Sequence, residues 1–249
     1  MGVSFDGTTG NFLNASPSPL LSSTGVPVTM ACWVKNPSSN ADFISFGRDN
    51  AQNSIALGLT NTGAYRLSVQ NGGVFTNLTG GATTSGNPWT FVLGRFISAT
   101  NRRIHSLTSL GVSSAQDTTS VSITGLNTLA LGCNFSGTQT RFSNCVVAEA
   151  WWAVGDIYGD GSLAADDAFV RQLALGGPFW MDNINAKVVE YFSCRDFTST
   201  TQAGPMNGIR TYGPATAAWL PTSSTQFTDH PPLPAWYIRP QESYGIALV

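Results

Sequence analysis

Charge is what this sequence has least of. Asp, Glu, Lys and Arg make up 10% of its 249 residues, with 12 basic and 14 acidic side chains and a formal net charge of −2. An ordinary soluble domain carries about 25%. Lysine occurs twice, at Lys35 and Lys187, and glutamate three times, at Glu149, Glu190 and Glu242. Arg102-Arg103 is the one basic pair. With no Lys/Arg run to neutralise phosphates, a nucleic-acid role is not expected. Long apolar runs are missing too: nothing approaches the roughly 20 residues of a membrane span. The segment Met1 to Asp6 lacks the basic start and apolar core of a signal peptide, and Asp6 stands where myristoylation needs Ser or Thr. The expectation is a chain made in a cytoplasm and not exported by the usual route.

Metal-binding and nucleophilic residue types are equally sparse. The cysteines Cys32, Cys133, Cys145 and Cys194 include no CxxC pair and have no histidine close by, so a zinc site is not expected. Each lies in or beside an apolar run, which reads as four buried thiols. The alternative is a Cys133–Cys145 bridge across a hairpin, which needs α-carbons within about 7 Å. His105 and His230 are the two histidines, and neither neighbours a GxSxG-type nucleophile frame.

Hydrophobic residues make up 42% of the chain and aromatics 11%. The polar remainder is rich in Ser, Thr, Asn and Gly, which favour turns and strands over helices. Short alternating runs recur: VSFD, FLNA, VPVTMACWVK, DFISFG, SIALGLT, AYRLSVQ, VFTNLTG, WTFVLGRFIS, then Ile104–Leu110, Val121–Thr124 and Leu126–Gly132. Asn61-Thr62-Gly63, Asn71-Gly72-Gly73 and Gly80-Gly81 read as turns between them. In VPVTMACWVK, Val28, Met30, Cys32 and Val34 share a face, with Trp33 opposite. About a dozen strands with frequent turns predict a sandwich or barrel.

The stretch Cys145–Gly177 is the most informative. It opens as a strand, with Val146, Ala148, Ala150, Trp152 and Val154 on one face and Cys145, Val147, Glu149, Trp151 and Ala153 on the other. Leu163–Leu175 then switches to helical spacing, with Phe169, Val170, Leu173 and Ala174 as its apolar stripe. Ser162 or the Asp166-Asp167 pair suits the helix start, and Gly176-Gly177-Pro178 the stop. Val188–Ser193 is strand-like, and Asp196–Gln226 is broken by Gly-Pro and Leu-Pro steps.

Two site readings follow from spacing. In DIYGDGSLAADD, Asp156, Asp160, Ser162 and Asp167 take positions 1, 5, 7 and 12 of a calcium loop, with Gly161 at the tight turn. Tyr158 stands where a ligand is usual, and Asp167 replaces a bidentate Glu. The competing reading is a Gly-Asp turn leading into a capped helix. Glu149 and Trp151 share the less apolar strand face, where a carboxylate and an indole can meet a sugar ring. The competing reading is a Glu-Trp pair covered by the C-terminal region. Glycoside hydrolysis needs two acids roughly 5–10 Å apart, and this strand offers one.

The order FDGTTG, VTMACWVK, WTFVLGRF, ITGLNTLALGC, RFSNCVVAEAWW and a Leu-led helix ending LALGG resembles the concanavalin A-like lectin/glucanase superfamily, specifically its laminin G-like and pentraxin-like jelly rolls. The likeness spans residues 3–177. VVEYFS through DHPPL is similar to the tail of such domains in bacteriophage proteins. One departure is that Ile104-His105-Ser106-Leu107-Thr108 stands where a Tyr-Val-Asn-Gly hairpin is frequent. The motif GDIYGDGSLAADDAFVRQLALG also resembles a dockerin-type calcium half-site. The resemblance implies an all-β, two-sheet antiparallel jelly roll over residues 1–194, with one short helix and a loop-rich arm over 195–249 packing on the sandwich or a partner. It also implies glycan or protein binding, sometimes through calcium, without catalysis. The expected role is a structural or adhesive component on a virion surface, partnered by capsid or tail proteins and by copies of itself. The alternative is a carbohydrate-binding lectin module for cell-surface glycans, with a glycoside hydrolase third.

Overall fold

The computed structural model describes residues 2–8, 13–15, 24–25, 27–83, 88–155, 157, 161–176, 188–192, 219–221 and 226–228. The alternating runs pair into two large antiparallel sheets. The first runs, edge to edge, through β11 (Gly111–Asp117), β10 (Asn101–Thr108), β9 (Thr90–Ser98), β4 (Val28–Lys35), β16 (Asn144–Val154), β1 (Gly2–Asp6) and β19 (Gln226–Thr228), with β17 (Val188–Phe192) also paired to β16. The second runs through β18 (Trp219–Pro221), β2 (Leu13–Ala15), β13 (Thr128–Leu131), β5 (Asp42–Gly47), β6 (Ser54–Leu59), β7 (Ala64–Asn71) and β8 (Val74–Ala82). Two small ladders join β12 (Thr124–Leu126) to β3 (Thr24–Gly25), and β14 (Asn134–Ser136) to β15 (Thr138–Thr140).

The sheets stack as the alternation requires. A Cβ on Gly94 of β9 would lie 2.7 Å from Leu57 Cδ2 and 2.9 Å from Leu67 Cδ1, so this point of the first sheet touches the second. Met30 pairs with Gly94 on one side and Trp152 on the other, which places all three on the inner face. Phe43, Phe46, Ile55, Leu57, Leu67 and Val69 fill the same core from the second sheet. Removing this much apolar surface from water is the main force holding the layers together.

A single helix, α1 (Leu163–Gly176), is found among the described residues and packs on the outer face of the first sheet. Val170, Leu173 and Ala174 of its stripe are buried. The Trp33 indole donates to the Ala174 carbonyl at 3.2 Å, which explains why a tryptophan stands on the outer phase of β4. Ser162 caps the start: its hydroxyl accepts from the Ala165 N–H at 3.2 Å.

Four local expectations are corrected. Gly80-Gly81 is not a turn, because β8 runs through it. Arg66 pairs with Thr79 and Ala64 with Ala82, so the two glycines oppose Tyr65 alone and form a bulge. Residues 121–123 lie outside any strand, and β12 begins at Thr124. GVSSAQD forms β11, closing a hairpin with β10 through a two-residue turn at Ser109-Leu110. Cys133 and Cys145 are separate buried thiols. Cys133 packs with Ala130, Phe135 and Phe142 in a small satellite cluster, while Cys145 belongs to the main core. Burial pushes the Cys145 thiol up to about 12, and that of Cys133 higher still, so both stay protonated and inert. Cys194 lies outside the described residues.

Candidate functional site

Glu149 breaks the strand that carries it. Its φ is +53°, and the ladder to β4 skips from Ala148–Trp33 to Trp151–Ala31, leaving two residues opposite Cys32. The bulge reverses the alternation: Val147 faces the core before it and Trp152 after it. Glu149 is 5% exposed and Trp151 1% exposed. An indole that closed to solvent offers no stacking surface, so the pair is built into the wall of the fold.

The calcium-loop residues divide in the same way. Asp156 and Asp160 lie outside the described residues. Ser162 is the helix cap. The Asp167 carboxylate receives His105 Nδ1 at 3.0 Å and the Ser114 hydroxyl at 3.4 Å. Among the described residues no group of three His, Cys, Asp or Glu side chains is placed to hold a metal. His105, fully buried, is held between Asp167 and Asp166.

Those contacts belong to an ionic cluster that docks the helix. Asp166 is completely buried, and its Oδ2 receives Arg95 Nη1 and Arg103 Nη1, each at 2.8 Å. Arg103 Nη1 also donates to the Gly161 carbonyl at 2.6 Å. Arg95, Arg103 and His105 rise from the outer face of β9 and β10. The helix start therefore sits where carboxylates suit both the dipole and the arginines. Burial acts to raise the Asp166 pKa, but the His105 and Arg103 hydrogen bonds and the two guanidinium charges outweigh it and hold the carboxyl below its usual range.

A second charged group lies on the outer face of the other sheet, and it is open at one side. Asp42, fully buried, accepts Arg66 Nε at 3.2 Å and Nη2 at 2.8 Å on one oxygen. Arg66 Nη1 donates to Asn40 Oδ1 at 3.2 Å. Arg141 approaches the other Asp42 oxygen at 3.7 Å and the Ser68 hydroxyl at 3.4 Å. Its guanidinium lies 3.6 Å from the Phe75 ring centroid, a close cation–π contact. The Arg141 side chain keeps 21% of its surface in solvent, and its Nε and Nη2 make no hydrogen bond within the described residues. Its φ is +51°, a left-handed conformation that costs a non-glycine residue on the order of 1 kcal/mol. Beside it, Ser68 pairs across the strands with Asn77, and Arg66 with Thr79, and Asn77 and Thr79 are exposed. Two guanidiniums face one carboxylate, so the face is positive. Burial raises the Asp42 pKa and the nearby arginines oppose the rise, while burial lowers that of Arg141.

Arg141 was not legible as a site residue from its neighbours, but the rarity of charge offered a clue. In a chain this poor in charge, Asp42 and Arg66 inside apolar strand patterns each demand a buried partner.

No protein-family model and no curated protein matches the sequence. Solved structures do resemble it. The native heptameric SAP-like pentraxin from Limulus polyphemus has a TM-score of 0.51 over 90% of this chain and 93% of that one, at 11% identity. The CBM40 of Ruminococcus gnavus IT-sialidase, bound to α2,3-sialyllactose, has a TM-score of 0.50 over 67% of this chain and 96% of that one, at 18% identity. At such identities the likeness is one of fold: the chain is a two-sheet antiparallel jelly roll.

Proposed function

We propose that this jelly roll is a non-catalytic carbohydrate-binding module whose outer β7–β8 face takes a glycan bearing an acidic sugar. The observation that carries the reading is Arg141: a half-buried guanidinium, propped on Phe75 in a strained backbone, with donors still free. A planar guanidinium suits a carboxylate through paired N–H···O bonds. The exposed Asn77 and Thr79 beside it offer the neutral donors and acceptors that sugar hydroxyls require. The solved CBM40 bound to α2,3-sialyllactose supports the reading as a precedent for this fold holding an acidic glycan; fold alone does not fix function. Nothing in the fold or in its solved likenesses adds weight to a virion setting, and the glycan-binding alternative takes precedence over it. Self-association, for which the heptameric pentraxin is a precedent, would add avidity to weak single sites.

The test is titration of the full chain with 3′-sialyllactose and with lactose. Sialyllactose is expected to bind measurably tighter than lactose. Arg141→Ala is expected to weaken it by roughly 10- to 100-fold, the loss of a charge-assisted hydrogen bond. Equal affinity for the two sugars removes the acidic component of the proposal. No binding of either, or full affinity in Arg141→Ala, overturns it.

A further inference from the structure

We infer that a second, chemically different pocket lies where the free edges of the two sheets meet, and that it takes a single neutral sugar ring or a polyol of that size. It is a cleft of about 230 Å³ whose walls include Gly81 and Ala82 of β8, Ser106 and Thr108 of β10, and Gly111 and Ser113 of β11. That volume is below the roughly 300 Å³ at which pockets begin to hold drug-sized ligands, so one ring is the largest fit. No side chain in the wall carries a charge, which separates this site from the Arg141 face.

The cleft exists because the bulge in β8 is made of glycine. A Cβ on Gly81 would stand 2.7 Å from Ser106 Oγ and 2.8 Å from Ser113 Oγ, filling the space between the two hydroxyls. A Cβ on Gly80 would stand 2.9 Å from Ile104 Cγ2, so the pair also lets β8 approach β10 closely. Ser106 supplies a hydroxyl with spare hydrogen-bonding capacity. It is 2% exposed, yet its hydroxyl makes no hydrogen bond within the described residues, and what surface it keeps belongs to the cleft wall. The Ser106 hydroxyl keeps that trace of surface toward the cleft, so it is placed to donate to and accept from an occupant. Ser113, its cross-strand partner, presents a second hydroxyl with no hydrogen bond of its own. Thr108, by contrast, is spent on the hairpin turn: its hydroxyl receives the Leu110 N–H at 3.1 Å.

The backbone adds to the inventory. Among the described residues β8 ends the second sheet and β11 the first, so each strand keeps one row of N–H and C=O groups with no strand partner there. A hydroxyl both donates and accepts. Two serine hydroxyls and two backbone edges therefore match the alternating donors and acceptors around a pyranose. Leu110, 86% exposed at the hairpin tip, supplies an apolar lip for a ring's C–H face.

The experiment is a two-dimensional amide NMR titration of the intact chain with D-glucose, D-galactose and D-mannose. At least one sugar is expected to give saturable shifts centred on Gly81, Ser106, Gly111 and Ser113, with a Kd on the order of 1 mM. Ser106→Ala removes one neutral hydrogen bond and should raise that Kd by roughly 2- to 10-fold. Gly81→Ser should abolish saturation by filling the cleft, and Ser106→Ala, which adds no atoms, keeps the test valid if that variant misfolds. Arg141→Ala should leave these shifts unchanged, so the failure of either site is distinguishable from that of the other. Absence of saturable shifts with all three sugars overturns the inference. So do shifts confined to the Arg141 face, or an unaltered Kd in Ser106→Ala.

Discussion

Asp166 and Asp42 are both buried carboxylates paired with two arginines, and they titrate in opposite directions. Asp166 has a folded pKa below its unfolded value. Its contribution is complete above the ordinary carboxylate range of about 4 and is lost as pH falls through the folded value. Asp42 has a raised folded pKa, so its contribution is present below the unfolded pKa and is lost as pH rises through the folded one. Urea unfolding of the wild type, Asp166→Asn and Asp42→Asn across the acid range is expected to show this contrast. Against Asp166→Asn the wild type loses its advantage on acidification, and against Asp42→Asn it gains; parallel pH profiles for all three would contradict the assignment. At neutral pH Asp166→Ala leaves Arg95 and Arg103 buried without their shared acid. Breaking a buried pair in this way costs about 3–5 kcal/mol, readable as a fall in the urea midpoint.

At the scale of elements, two bulges and one glycine decide how the strands meet. Gly94 leaves no room for a side chain between β9 and the second sheet, and Gly94→Ala would push a methyl group into Leu57 and Leu67. Overpacking of a filled core costs about 1–3 kcal/mol, so calorimetry should record a lower melting temperature, and an unchanged one would mean the layers can part there freely. The helix start offers a smaller, cleaner test, since Ser162→Ala removes one cap at a cost of about 1 kcal/mol. These elements also show what the sequence does and does not reveal. Strands β4 to β7, β9 and β16 were legible because one or both faces are buried and apolar. β11 was not, since GVSSAQD lies at a sheet edge and leaves most of its side chains partly or fully in solvent, with little apolar signal. The strand spacing that put Glu149 and Trp151 on one face assumed a regular pleat, and nothing in NCVVAEAWWAV marks the residue where the chain takes a positive φ. Gly80-Gly81 carried a usable signal that was ambiguous: two glycines can end a strand or bulge it, and the partner edges of β10 and β11 decide which. The helix was legible to within a residue, but its reason for docking was not. An acidic pair at a helix start reads equally as dipole partner, calcium ligand or buried anchor until the arginines of β9 and β10 are seen beneath it.

At the scale of the molecule, the two sheets are tied to the C-terminal region by backbone pairing. β19 extends the first sheet beyond β1, with Val3 opposite Phe227, and β18 extends the second beyond β2, with Ala15 opposite Trp219. One short segment thus reaches both layers from strands only a few residues apart in sequence, spanning the sandwich at its N-terminal side. Both strands it adds to are themselves short, so each draws part of its ladder from the C-terminal partner. A chain ended at residue 194 would lose β18 and β19 together and leave β1 and β2 with rows of unsatisfied N–H and C=O groups. Open edges of this kind recruit other chains. The truncated protein is therefore expected to melt at lower temperature and to self-associate with rising concentration in sedimentation, whereas the full chain keeps those edges paired. If truncation left both the melting curve and the sedimentation profile untouched, the two pairings would contribute nothing to the sandwich, and residues 195–249 would be free to serve a partner alone.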